Sequence, residues 1–185
     1  MYVRVKVVVI CDGETAPAWR LALAATEGAW DAHGEVRLRR LGRHVPAADT
    51  RELREWDEVL RDATCIPEAS PADLAWADVV LLGTSAPDGR VVERLRRFVD
   101  AATPLWRDGE LAGKIFGTYT ARADSPERPG SRLATLADVF RQWGGLVVPL
   151  ASDAGDLAAA AALGRRATET ARALKSGRAD FAAVA

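Results

Sequence analysis

Two cysteines, two histidines and one methionine in 185 residues leave little material for metal or thiol chemistry. Cys11 and Cys65 lie in different segments, with no CxxC and no histidine cluster beside them. That excludes a disulfide framework and a zinc site, so no metal is expected and both thiols read as small buried or half-buried groups. His33 and His44 each stand alone, without a partner for acid–base work. Long apolar runs are also missing. The longest candidate, alanine-rich Leu157 to Leu163, falls far short of the ~18–20 residues that cross a bilayer. Arg4 and Lys6 interrupt the apolar start, and no small-residue cleavage site follows, so no signal peptide is expected. Excess charge is absent too: the net charge of −1 makes the chain no trap for nucleic acid. Ser152-Asp153 shows no nucleophile-elbow pattern, which removes support for hydrolase chemistry. These absences point to the cytoplasm, with neither membrane nor nucleic acid as partner.

What is present is an ordinary globular balance, 49% hydrophobic and 28% charged, in a length suited to one domain. The expected division is a domain over 1–176 and a frayed tail over 177–185. Val3 to Ile10 is a β-branched run ending at Cys11-Asp12-Gly13, the pattern of a buried strand meeting a turn. Trp19, Leu23, Thr26 and Trp30 then fall on one helical stripe, with Gly34 as its stop. Val36 and Leu38 alternate with arginines, the period of a strand with one wetter face. Residues 42–70 form a long, charged connection, within which Leu53, Trp56, Val59 and Leu60 suggest a short amphipathic helix. Ser70-Pro71-Ala72-Asp73 supplies an N-cap, a proline at the first helical position and an acidic first turn.

Val79 to Leu82 reads as a third strand, Lys114 to Thr120 as a fourth and Leu146 to Leu150 as a fifth. Helical stripes follow each of them. Leu95, Phe98 and Val99 make the first, with Trp106 beyond it in a loop. Leu133, Leu136, Ala137 and Phe140 make the second. Ala160, Gly164, Ala167, Ala171 and Leu174 make a small-residue face on the third. Strands alternating with helices imply a parallel sheet covered on both sides. The expected fold class is α/β, a flavodoxin-like three-layer sandwich with a five-stranded parallel sheet and ligands beyond the carboxyl ends of the strands.

Three loops leave those ends. The first, Gly13, Glu14, Thr15, Ala16 and on to Ala18, opens a helix whose backbone N–H groups and dipole suit a phosphate. Gly13 permits close approach and Thr15 offers a hydroxyl, whereas Asp12 and Glu14 would repel an anion unless they point away. The second, Ser85, Ala86, Pro87, Asp88 and Gly89, is small and polar, fit either for the edge of a planar heterocycle or for an ordinary turn. In the third, Tyr119 and Thr120 are placed to flank such a ring, and Ala121-Arg122 follow with a cation for an anion. Tyr119 is equally readable as a last strand residue with its hydroxyl at the rim.

These residues resemble the WrbA-type family of flavodoxin-like NAD(P)H:quinone oxidoreductases. Pro71-Ala72-Asp73-Leu74-Ala75 through Asp78, then Val79 to Thr84, looks like that family's P-x-E-L-x-x-[YW]-D, apolar strand and G-T-P. Gly89, Leu95, Arg96, Phe98, Asp100, Leu105 and Trp106 keep its spacing. Leu111 to Lys114 resembles its L-x-G-K, Gly144 to Pro149 its G-x-x-x-V-P, and Glu27-Gly28-Ala29 the end of its first helix. The resemblance implies bound FMN, NAD(P)H as co-substrate, a small aromatic or quinone acceptor, Trp106 near the ring, and a homodimer or homotetramer. The carry-over is uneven in the loops. Gly13 and Ala16 stand where the family has Ser and Gly. Ser85-Ala86-Pro87-Asp88-Gly89 replaces P-T-R-F-G, and Ala121-Arg122-Ala123-Asp124 replaces the glycine-rich third loop. Gln142 or Trp143 stands for the active-site His. Three readings stay open: an FMN-dependent reductase with unusual loops, a fold that has lost FMN and acts as a binding or assembly module, and a flavin-independent enzyme using the same pocket.

Overall fold

The computed structural model describes residues 3–12, 16–41, 66–84, 89–120, 130–150 and 156–184. Five strands form one sheet: β1 (Val5–Asp12), β2 (Gly34–Arg40), β3 (Val79–Thr84), β4 (Ile115–Thr120) and β5 (Leu146–Val148). Every pairing is parallel and the order is β2-β1-β3-β4-β5. The helices are α1 (Ala16–Asp31), α2 (Pro71–Trp76), α3 (Gly89–Arg107), α4 (Gly130–Gln142) and α5 (Leu157–Val184). This is the flavodoxin-like α/β fold expected from the alternation of strand and helix. The amphipathic helix anticipated inside 42–65 falls outside the described residues.

The sheet divides the core because side chains alternate along each strand. Val5, Val7, Val9 and Cys11 face α1 and α5, while Val8 and Ile10 face α2, α3 and α4. Leu81 and Tyr119 join the first layer; Leu82, Phe116, Phe98, Phe140 and Trp143 join the second. β1 is buried over nearly its whole length, as a central strand covered on both faces must be.

Among the described residues, the α1–α5 pair brings two helix backbones into direct contact. A Cβ added at Gly28 would lie 1.9 Å from the Ala161 carbonyl oxygen, and one at Gly164 would lie 2.1 Å from that of Ala25. The two glycines let the helix backbones touch where side chains would hold them apart. The small-residue face expected on the last helix is therefore its packing face.

Several boundaries differ from expectation for identifiable reasons. Cys11 and Asp12 belong to β1, because they pair with Gly83 and Thr84 of β3. On α1 the buried face is Trp19, Ala22, Ala25, Thr26 and Ala29, and Trp30 lies 58% exposed at the last turn. The left-handed residue after α1 is His33, at φ 56°, and Gly34 opens β2 instead of stopping the helix. Pro104 does not end α3: the buried stripe continues through Ala102 and Leu105, so Trp106 is helical and not in a loop. The fifth strand stops at Val148, short of Leu150. Past Lys175 the chain remains helical to Val184, so the frayed tail over 177–185 is replaced by the last turns of α5.

α2 is held as its sequence suggests. The Asp73 carboxylate accepts hydrogen bonds from the Ser70 N–H and hydroxyl, at 3.1 and 3.0 Å, and from Arg39 Nε at 2.8 Å. The short helix is thereby pinned to β2, ahead of the turn into β3.

Candidate functional site at the carboxyl edge of the sheet

The order β2-β1-β3 places a topological switch point between β1 and β3. β1 connects to β2 on one side, the chain then crosses back to β3 on the other, and a crevice is expected beyond the carboxyl ends of the strands at that point. Asp12, Thr84 and Thr120 are the last residues of β1, β3 and β4, and they stand in lateral register across the sheet. All three are buried. The floor of the crevice is thus a row of polar groups laid on an apolar core. The Thr120 hydroxyl donates to the Thr84 carbonyl at 3.3 Å, which ties two of the three strand ends together.

Asp12 answers the electrostatic objection raised by its sequence position. Its carboxylate is fully buried, and Oδ1 accepts a 2.8 Å hydrogen bond from Arg94 Nε on the second turn of α3. A buried carboxylate is tolerable only with a compensating charge. The Arg94 side chain, 23% exposed, supplies it while crossing from α3 to β1. Arg94 was not singled out by sequence reasoning. The available signal was a lone acid closing an apolar strand, which calls for a cation from the neighbouring crossover helix.

α1 begins four residues after the end of β1, so its amino terminus lies near the carboxyl edge of the sheet, and Ala18 and Trp19 of its first turn join the same core cluster as Cys11. The unpaired N–H groups of a helix opening suit a phosphate. Among the anticipated site residues, Ala16 and Ala18 lie at the start of α1, Gly89 opens α3, and Thr120 closes β4. Gly13, Glu14, Thr15, Ser85, Ala86, Pro87, Asp88, Ala121 and Arg122 fall outside the described residues. The chemistry of the described donor set fits a phosphorylated heterocycle. It offers the N–H groups at the opening of α1 for an anion and, at the ends of β1, β3 and β4, an acid paired with Arg94 and two threonines.

Two anticipated side chains are placed elsewhere. Tyr119 is 1% exposed and its hydroxyl reaches the Ile10 carbonyl at 3.4 Å. Gly83 is its partner on β3, and a Cβ there would come within 1.8 Å of the Tyr119 ring. The missing side chain at Gly83 lets the ring lie down into the core, so Tyr119 neither flanks the crevice nor sets its hydroxyl at the rim. Trp106 lies at the far end of α3. The rise of ~1.5 Å per residue from Gly89 puts it about 25 Å from the crevice, at the amino edge of the sheet. It is 37% exposed there, and its Nε1 donates to the Gln142 carbonyl at 3.0 Å. Gln142 and Trp143, the residues standing for the family's His, share that end.

The base of the site carries two raised acid groups. Burial, reinforced by the Asp12 charge, pushes the Cys11 thiol far up, and burial beside Cys11 does the same to the Tyr119 phenol. Both keep their protons in the folded chain when the unfolded chain has lost them, so the unfolded state binds fewer protons. Stability is fully present below the ordinary thiol value of 9.0 and falls above it. The slope is about 1.4 kcal/mol per pH unit for each such group. Lys114 opposes this: burial lowers its amine from 10.5, so its cost of charging is relieved as pH rises toward that value. Above pH 10.0, the ordinary tyrosine value, the two acids outweigh the one base. Thermal melts should show a declining limb there, and Cys11→Ala should make that limb shallower.

Among the described residues, no group of three His, Cys, Asp or Glu could hold a metal ion, and no helix is long and apolar enough to cross a membrane.

No family model matches the chain. It is 28% identical over 145 residues to an NAD(P)H dehydrogenase (quinone) of Deinococcus radiodurans, covering 78% of this chain and 72% of the relative. It is 30% identical over 148 residues to the enzyme of the same name from Brucella anthropi, covering 79% and 71%. Among solved structures, the flavodoxin, WrbA-like protein of Agrobacterium tumefaciens superposes with a TM-score of 0.57 at 24% identity, covering 90% of this chain and 96% of that one. With a sheet ordered as in flavodoxins, a polar crevice at its switch point and relatives of this closeness, the chain belongs to the WrbA-type, flavodoxin-like family of NAD(P)H dehydrogenases (quinone).

Proposed function

We propose that the crevice above Asp12, Thr84 and Thr120 holds FMN and that the protein uses it to pass a hydride from NAD(P)H to a quinone-like acceptor. The observation that carries this reading is the row of buried polar residues Asp12, Thr84 and Thr120 at the carboxyl edge of the sheet, with the Asp12 charge met by Arg94 from α3. An unpaired acid at that edge would work against a phosphate, and pairing with a guanidinium lessens that objection. FMN, when bound, supplies the hydride acceptance and donation that no protein side chain offers.

The chain's own part is binding and orientation. Gly13 to Ala18 present N–H groups to the phosphate, and Thr15 adds a hydroxyl. Ser85 to Gly89 and Thr120 to Arg122 offer backbone groups to the edge of the ring. Within one chain Trp106 is too far away to touch a ligand there. Its substrate role and a homodimer or homotetramer therefore stand or fall together, with Trp106 serving the crevice of a second copy.

The visible spectrum of the purified protein tests this directly. Flavin absorbance, or uptake of added FMN by apoprotein, is expected, and NADPH oxidation should then depend on a benzoquinone acceptor. Thr15→Glu should weaken FMN binding by about tenfold or more, because it sets a carboxylate against the phosphate. Colourless protein that takes up no FMN would overturn the assignment and favour a module that has lost its cofactor.

A further inference from the structure

We propose that a second ligand site lies at the amino edge of the sheet, where Lys114 and Lys175 hold a small organic carboxylate with an apolar body. It is independent of the crevice at the other edge. β4 runs from Ile115 to Thr120, so roughly 16 Å of strand separates the two.

A cleft of about 200 Å³ opens between the turn into β4 and the second half of α5. Asp78, Glu110, Lys114 and Lys175 form its polar side; Ile115, Ala171 and Leu174 form its apolar side. Exposed Leu146 is in register with Ile115 and so stands on the same face of the sheet. The volume is below the ~300–1,000 Å³ of drug-sized sites and suits a small molecule.

The balance of charge selects an anion. Lys114 is half-buried, and its Nζ donates to the Ala75 and Ala77 carbonyls at 2.9 and 2.6 Å. Among the described residues no carboxylate forms an ion pair with it. Lys175 Nζ donates to the Arg4 carbonyl at 3.0 Å and to Asp78 Oδ2 at 2.8 Å, so Asp78 is committed to Lys175. Each ammonium has three donors and uses two, which leaves one apiece. A cation withdrawn from water without a counter-charge is costly. Burial lowers the Lys114 amine from 10.5, and the charges of Lys175 and Lys6 push the same way, against Asp78 and Glu110. A carboxylate brings one oxygen for each remaining donor and supplies the missing charge. Its apolar body then lies against Ile115, Ala171 and Leu174. Glu110 opposes an anion, but it is exposed and water screens it.

Benzoate is the probe, and the methyl NMR signals of Ile115, Ala171 and Leu174 are the readout. Benzoate should shift all three saturably. Benzamide, of the same shape without the charge, should bind about tenfold more weakly or worse. Lys114→Met keeps the apolar stem and removes the charge, and should weaken benzoate about tenfold. Because it also strips the Ala75 and Ala77 carbonyls of their donor, two further variants carry the test if it fails to fold. Lys175→Met should weaken benzoate severalfold, and Glu110→Gln should tighten it about twofold. Unmoved methyl signals, benzamide binding as well as benzoate, or unchanged affinity in the lysine variants would sink the proposal. Inorganic phosphate that displaces benzoate at equal concentration would sink it too, by showing a site for any anion.

Discussion

Replacing Gly164 with valine is expected to leave no folded protein, and Gly164→Ala to cost about 3 kcal/mol or more. In an isolated helix the alanine change would be favourable by about 1 kcal/mol. Here the sign reverses because the new Cβ would sit 2.1 Å from the Ala25 carbonyl oxygen, and that oxygen belongs to helix backbone. Neither helix can give way easily. α1 is seated by Trp19, Ala22 and Ala29, and α5 by Ala160, Leu163 and Ala167, all buried against the same strands. Separating them would open one whole layer of the core. Overpacking usually costs about 1–3 kcal/mol, and a domain of this size has about 5–15 to lose. Valine at this position should exceed what the fold can absorb. Soluble yield and thermal unfolding followed by far-ultraviolet circular dichroism check both variants, and a Gly164→Ala protein as stable as the parent would refute the packing described.

Phe116→Ala is expected to destabilise the chain by about 3–5 kcal/mol. The ring is fully buried in the second layer, stacked on Phe140 at 4.6 Å between centroids and edge-on to Trp143 at 5.9 Å. Gly145 lies against it so closely that a Cβ there would fall 2.3 Å from the ring. Deleting the ring leaves a cavity that this tightly seated surround can fill only in part. Aromatic contacts worth about 0.5–1.5 kcal/mol each are lost as well. The urea midpoint should fall while the dependence on denaturant concentration stays the same. Trp143 should report the vacancy through a changed emission spectrum in the folded state.

Much of this architecture is legible from side-chain periodicity alone. The β-branched run over β1 and the apolar run over β3 announce strands buried on both faces. The alternation with helices announces a parallel sheet. The small residues of α5, Ala160, Gly164, Ala167 and Ala171, announce a close packing face before any partner is known. The site is less legible, because its parts come from segments far apart in the chain. Asp12 reads as an obstacle to an anion until Arg94, some eighty residues later, is seen on its carboxylate. Tyr119 reads as a crevice residue because strand ends usually present their side chains to the rim. Only the register that sets it opposite Gly83 shows that the ring has room to turn inward. Trp106 reads as a loop residue because proline normally ends a helix, yet the buried face of α3 carries the helix past Pro104. In each case pairing or packing outvotes a local rule.

The α1–α5 seam has a consequence for how the molecule is made. It joins Gly28 to Ala161 and Ala25 to Gly164, and Lys175 reaches back to the Arg4 carbonyl and the Asp78 carboxylate. During synthesis, the apolar face of the earliest helix waits for a partner that emerges some 130 residues afterward. Until then Val5, Val7 and Val9 have only the α1 part of their outer cover. Such long-range closure slows folding and prolongs exposure of apolar surface. Shortening α5 from its carboxyl end should therefore show first as aggregation of the nascent chain.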